Sequence, residues 1–86
     1  SVNGFGLDIT PAGRMIFFKN TDVPGVIRDI GTILANHAIN IADFRLGRNN
    51  HNEALAVILV DDDVDSDTLA ELRAIPACLS VGYAVI

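Results

Sequence analysis

The sequence predicts an α+β fold: a ferredoxin-like βαββαβ sandwich, with a four-stranded antiparallel sheet and both helices on one of its faces. Three observations predict it. Four segments carry apolar residues in strand-like blocks or at period two, two segments between them carry apolar residues at period 3.6, and turn residues separate the six. Their order is strand, helix, strand, strand, helix, strand. With 86 residues the chain makes one small domain, which buries roughly 60–65% of its unfolded surface.

Residues 1–13, SVNGFGLDITPAG, place glycines and a proline around the alternation Phe5, Leu7, Ile9. They read as a lead-in strand or linker, closed by a turn at Pro11-Ala12-Gly13, ahead of a domain spanning 14–86. The first strand is expected over 14–20. Its block Met15-Ile16-Phe17-Phe18 is apolar on both faces and needs a central place or cover on both sides. Thr21-Asp22-Val23-Pro24-Gly25 then turns into a helix, with Asp22 the expected N-cap and Pro24 tolerated in a first turn whose N–H groups lack intrahelical partners. The helix should run to about His37, burying Val26, Ile27, Ile30, Ile33 and Leu34. Segment 41–48 turns Ala42, Phe44 and Leu46 to one face and Ile41, Asp43 and Arg45 to the other, as a half-exposed strand does. Asn49-Asn50-His51-Asn52 is a hairpin connection, because Asn tolerates positive φ. The third strand, EALAVILV over 53–60, is the most apolar and should be central. The aspartate-rich turn 61–65 places carboxylates at the positive end of the next helix, with Asp65 as N-cap. That helix, over 66–74, turns Leu69, Leu72 and Ile75 inward and ends at Pro76. The last strand, 77–86, alternates Leu79, Val81, Tyr83 and Val85. The first and third strands are expected side by side at the centre and parallel, with right-handed crossovers.

Composition removes several functions. Six basic residues against eleven acidic ones leave a formal charge of −5, which lacks the basic footprint that phosphate backbones require. The longest apolar run is the seven residues Ala54 to Val60, whereas a bilayer span needs about 20. No basic stretch precedes an apolar one at the start, so no signal peptide is expected; the lone cysteine and the lack of an N-x-[ST] acceptor lead to the expectation of a cytoplasmic location. Cys78, the only cysteine, forms neither an internal disulfide nor a CxxC pair, and is expected to be a small buried thiol. Asp61, Asp63 and Asp65 imitate the opening of a calcium loop, but Ser66 and Leu72 stand where that loop needs Gly and Glu. Gly4-Phe5-Gly6 begins a dinucleotide-type glycine motif that Ile9 breaks. His37 and His51 have no paired acid in view, and no nucleophile–base set assembles. The chain alone is therefore not expected to be an enzyme, nor to hold a metal or cofactor.

One constellation survives: residues 20–25 together with Ala38-Ile39-Asn40-Ile41. Gly25 has no Cβ to block approach to the helix N-terminus, whose free N–H groups favour a carboxylate. Asp22 and Asn20 offer partners for an ammonium or a hydroxyl. Those are the polarities of an amino-acid site, although on residue chemistry alone a plain capped turn is the stronger reading.

At these residues the chain resembles a known family. N-T-D-V-P-G-V-I followed by G-T-I-L-A-N-H-A-I-N-I-A is similar to the ACT domain, a small-molecule regulatory module of amino-acid metabolism. V-N-G-F-x-L-D-x-x-P-A-G-R before the first strand and E-L-R-A-I-P-A near the end resemble, within that family, the regulatory domains of D-3-phosphoglycerate dehydrogenases. The ACT domains of iron–sulfur L-serine dehydratases have a similar lead-in. The resemblance implies feedback sensing of L-serine by a homodimer paired side by side, its sheet extended to eight strands, within an NAD-dependent parent. It implies that Asn20 and Asp22 touch the ligand from one subunit and Asn40 from the other, with Gly25 shaping the loop. Val23 replaces a commonly basic residue, and Ala38 and Ala77 replace commonly used glycines. If Ala38 keeps positive φ, it costs roughly 1 kcal/mol. The alternative is a pairing module without ligand response. A mean hydropathy of +0.38 in so small a domain fits apolar surface covered by a twin.

Overall fold

The computed structural model describes residues 4–10 and 12–86. Its elements are β1 (Arg14–Thr21), α1 (Val26–Asn36), β2 (Ile41–Arg48), β3 (Glu53–Val60), α2 (Ser66–Arg73) and β4 (Cys78–Val85). They form one sheet in the order β2-β3-β1-β4, the predicted βαββαβ arrangement. β1 and β3 are central, but they are antiparallel, from Arg14 opposite Val60 to Thr21 opposite Glu53. The expectation of parallel central strands is corrected by the crossovers: each helix carries the chain past one strand position. β1 therefore runs parallel to β2 with β3 between them, and β3 runs parallel to β4 with β1 between them.

On one face of the sheet Ile16, Phe18, Ala56, Ile58 and Val60 pack against Val26, Ile30 and Leu34 of α1 and Leu72 of α2. The other face is covered as well. Residues 4–10 form no strand; they cross this face as a strap and bury Phe5 and Leu7 on Met15, Leu55 and Val57. The doubly apolar block in β1 thus finds cover on both sides. The strap lies so close to β2 that a Cβ on Gly47 would collide with the carbonyl oxygen of Phe5. Of the predicted turn at 11–13, Pro11 lies outside the described residues. Gly13 (φ 68°) exchanges two backbone hydrogen bonds with Ile86, of 3.1 and 2.8 Å.

Five local expectations change. The N-cap of α1 is Gly25, at φ 92°, and no side chain caps the helix. Pro24 and this left-handed glycine put a turn between Asp22 and the first helical residue, so the Asp22 carboxylate bonds elsewhere. Ile27 is 52% exposed, because it lies about 100° around the helix from Val26, off the stripe Val26, Ile30, Leu34. In β4 the register slips between Lys19 and Asn20, which face Ser80 and Cys78. Leu79 is the extra residue of this bulge and is half exposed, while Cys78 joins Val81 and Tyr83 against the core. Cys78 is accordingly a half-buried free thiol, its pKa raised chiefly by burial. His37 does have an acid: its Nε2 meets Glu71 Oε2 of α2.

Asp65 caps α2 as expected. Its Oδ1 accepts from the Thr68 N–H at 2.8 Å and from the Thr68 hydroxyl at 2.7 Å, and these bonds hold its carboxyl below the usual carboxylate range. Among the described residues, no helix is long and apolar enough to cross a membrane.

Candidate functional site

Antiparallel register sets one row of side chains across the helix-covered face: Arg48, Ala54, Asn20 and Cys78 lie opposite one another on β2, β3, β1 and β4. The next row holds Leu46, Ala56, Phe18 and Val81. On β3 both rows carry alanine where the rest of the strand is mostly larger. The missing volume leaves a cavity of about 490 Å³ beneath the N-terminus of α1, with Asn20, Asp22, Gly25, Arg48, Ala54 and Ala56 in its walls.

The loop that bears Asp22 is pinned from both sides. The Thr21 N–H donates to the Ala77 carbonyl at 2.9 Å, and the Asp22 N–H donates to the Asn52 carbonyl at 2.9 Å. Asn20 is 4% exposed, and its Nδ2 donates to the Thr21 carbonyl at 2.8 Å. The Asp22 carboxylate accepts from Arg48 Nε at 2.7 Å. The first N–H groups of α1 have no intrahelical acceptor and no side-chain cap, so this end of the cavity carries partial positive charge. At Gly25 a Cβ would approach Arg28 Nη2 to 3.0 Å, and the φ of 92° would strain any other residue. The arrangement therefore offers one carboxylate, two guanidinium groups and backbone donors around a partly apolar floor; of the two, Arg48 bonds Asp22, while Arg28 is largely exposed and lies 3.6 Å from Asp29 on its own helix.

Three of the four expected ligand residues, Asn20, Asp22 and Gly25, come together here. Asn40 does not. It precedes β2, whereas Arg48 ends it, and eight residues at about 3.4 Å per step separate the two ends by roughly 24 Å. Asn40 instead joins the aspartate-rich turn: its Nδ2 donates to Asp61 at 2.5 Å, its N–H donates to Asp62 at 3.3 Å, and its carbonyl accepts from the Asp61 N–H at 3.0 Å. Asp63 accepts from Arg14 at 2.9 Å, which holds its carboxyl low. Among the described residues no group of three or more His, Cys, Asp or Glu side chains is arranged to hold a metal. Sequence reading missed Arg48. Nothing local marks it; only the strand register that sets it opposite Ala54, and Ala54 opposite Asn20, brings it to the cavity.

The profile of the ACT domain family matches residues 14–77, and the chain belongs to that family of regulatory domains. Within it, the chain is 33% identical over 81 residues to D-3-phosphoglycerate dehydrogenase of Bacillus subtilis, an alignment covering 93% of this chain and 15% of that enzyme. A probable L-serine dehydratase beta chain of the same organism is 30% identical over 81 residues, covering 93% of this chain and 37% of that one. The chain thus spans well under half the length of both relatives. Among solved structures, the ACT domain from GTP pyrophosphokinase of Chlorobium tepidum superposes with a TM-score of 0.65 at 15% identity, covering 87% of this chain and 100% of that one; this likeness concerns the fold.

Proposed function

We propose that the chain is an amino-acid-sensing regulatory domain with L-serine as its ligand, non-catalytic itself, serving a cytoplasmic, NAD-dependent D-3-phosphoglycerate dehydrogenase. The observation that carries this reading is the cavity under α1, whose walls pair opposite charges beside an uncapped helix N-terminus. An α-amino acid carries an ammonium and a carboxylate on one carbon, and both find partners there. The similarity to D-3-phosphoglycerate dehydrogenase over 93% of the chain supports the choice of parent.

The working unit is a homodimer formed along the β2 edge. β2 is an outer strand that begins after Asn40 and ends at Arg48. A second copy laid antiparallel along it brings its own Asn40 beside this Arg48, at the mouth of the cavity. The distance between Asn40 and Asp22 within one chain is then what a shared site requires. Serine acts by linkage: it favours the paired arrangement that completes its site, and that arrangement disfavours catalysis in the parent.

Calorimetric titration with L-serine, with glycine and alanine alongside, tests the reading. Saturable heat is expected with serine, and Asp22→Ala abolishes it while leaving the melting temperature within a few degrees. Absence of heat at millimolar serine in a verified dimer refutes serine sensing. It would favour the second reading, a pairing module without ligand response, to which the replacements Val23 and Ala38 point. The 30% identity to a probable L-serine dehydratase beta chain supports a dehydratase as the alternative parent.

A further inference from the structure

The Asp22–Arg48 pair lies in the wall of the cavity, and its exposure is uneven: the Arg48 side chain is 60% accessible and that of Asp22 30%. An ion pair this open to water is weakly held, so a competitor carrying both charges can part it at little cost. The contact runs from Arg48 through Nε. A guanidinium has a second, Nη–Nη edge, planar and matched to the two oxygens of a carboxylate. The apolar surfaces of Leu46, Ala54 and Ala56 lie next to the pair and reduce the screening of any charge seated among them.

We propose that Arg48 is the carboxylate-binding residue of this cavity and Asp22 its ammonium-binding counterpart, so that the pair selects free zwitterionic α-amino acids over molecules bearing only one of the two charges. The inference rests on the amino-acid-sensing reading of the same cavity. When the ligand enters, the Asp22–Arg48 bond opens. Asp22 then faces the ammonium, Arg48 faces the carboxylate, and four charges of alternating sign replace two. No proton moves and the net charge of the site is unchanged. Sequence inspection does not show this role, because Arg48 stands 26 positions from Asp22 at the end of a half-exposed strand.

The experiment is calorimetric titration of the 86-residue chain with three probes. These are L-serine, ethanolamine (serine without its carboxylate) and 3-hydroxypropionate (serine without its amine). The unmodified chain is expected to bind serine directly and each of the other two at least about 100-fold more weakly, their affinities being read by displacement of serine at millimolar concentrations of the competitor. Arg48→Gln is expected to lower serine affinity about 10- to 100-fold, the worth of a charge-assisted hydrogen bond, without lowering affinity for ethanolamine. The ratio of the two affinities then falls, which a general loosening of the fold does not produce. Arg48→Lys keeps the charge but loses the planar edge, and is expected between the two. Arg45→Gln removes the same charge from β2, where Arg45 bonds Asp43 at 3.0 Å outside the cavity walls, and should leave serine binding within twofold. Unchanged serine binding in Arg48→Gln, or ethanolamine binding as tight as serine in the unmodified chain, overturns the assignment of Arg48 while leaving amino-acid sensing intact. No heat with serine in the unmodified chain overturns both.

Discussion

Ala38 shows most directly what a single residue decides. α1 ends in a Schellman motif: the Ile39 N–H donates to the Leu34 carbonyl at 2.9 Å and the Ala38 N–H donates to the Ala35 carbonyl at 3.0 Å. The motif requires Ala38 to be left-handed, and its φ is 56°. The resemblance to ACT domains implies a position commonly held by glycine, and the backbone has kept the glycine geometry although the side chain is present. Ala38→Gly is therefore expected to stabilise the chain by about 0.5–1 kcal/mol, the relief of left-handed strain less the added freedom of the unfolded glycine. A urea or thermal melt checks it, the midpoint rising by about 2–6 °C. Asn20, Asp22 and Gly25 were legible at this scale because they fall within six consecutive positions around one turn. The partners of two charged groups were not. Arg48 for Asp22 and Glu71 for His37 lie 26 and 34 positions away, and nothing short of the strand order and helix packing brings them together.

The elements were legible where periodicity is strong. β2 begins and ends with its alternation, β3 spans the apolar segment expected over 53–60, and Asp65 starts α2 as its type and place require. What escaped were features that depend on a second element. The bulge at Leu79 belongs to the pairing of β4 with β1. The strap is invisible as such, since Phe5, Leu7 and Ile9 alternate as a strand would yet find no strand edge to pair with. Its dependence on Gly47 is testable. Gly47→Ala sets a methyl group against the Phe5 carbonyl, so the strap must lift or the strand bend, at about 1–3 kcal/mol. Limited proteolysis should then cut before β1, where the unmodified chain resists. Gly82→Ala on β4 is the control, because its Cβ would meet Phe17 at an ordinary 3.9 Å; if both variants behave alike, the strap is not held by Gly47.

Across the whole molecule, apolar side chains remain outside both sheet edges. Ile41 at the start of β2 is 37% exposed and Ile27 beside the cavity 52%, while Leu79 and Val85 mark the β4 edge at 50% and 63%. The proposed dimer uses the first pair. Sedimentation at tens of micromolar is expected to show a dimer, which Ile27→Glu converts to monomer and Leu79→Lys does not; the reverse pattern would place the interface on β4. The high mean hydropathy anticipated unburied apolar surface, but only the strand order tells which of it flanks the cavity. That order also governs when the fold can exist at all. β1 lies between β3 and β4, so within this domain the first strand to be synthesised is completed by the last, and the paired bonds between Gly13 and Ile86 close the sheet only then. At synthesis rates of about 5–20 residues per second, the apolar block Met15–Phe18 waits roughly 3 to 15 seconds for its final neighbour. During that interval the block is exposed apolar strand, the kind of surface that pairs with the wrong partner.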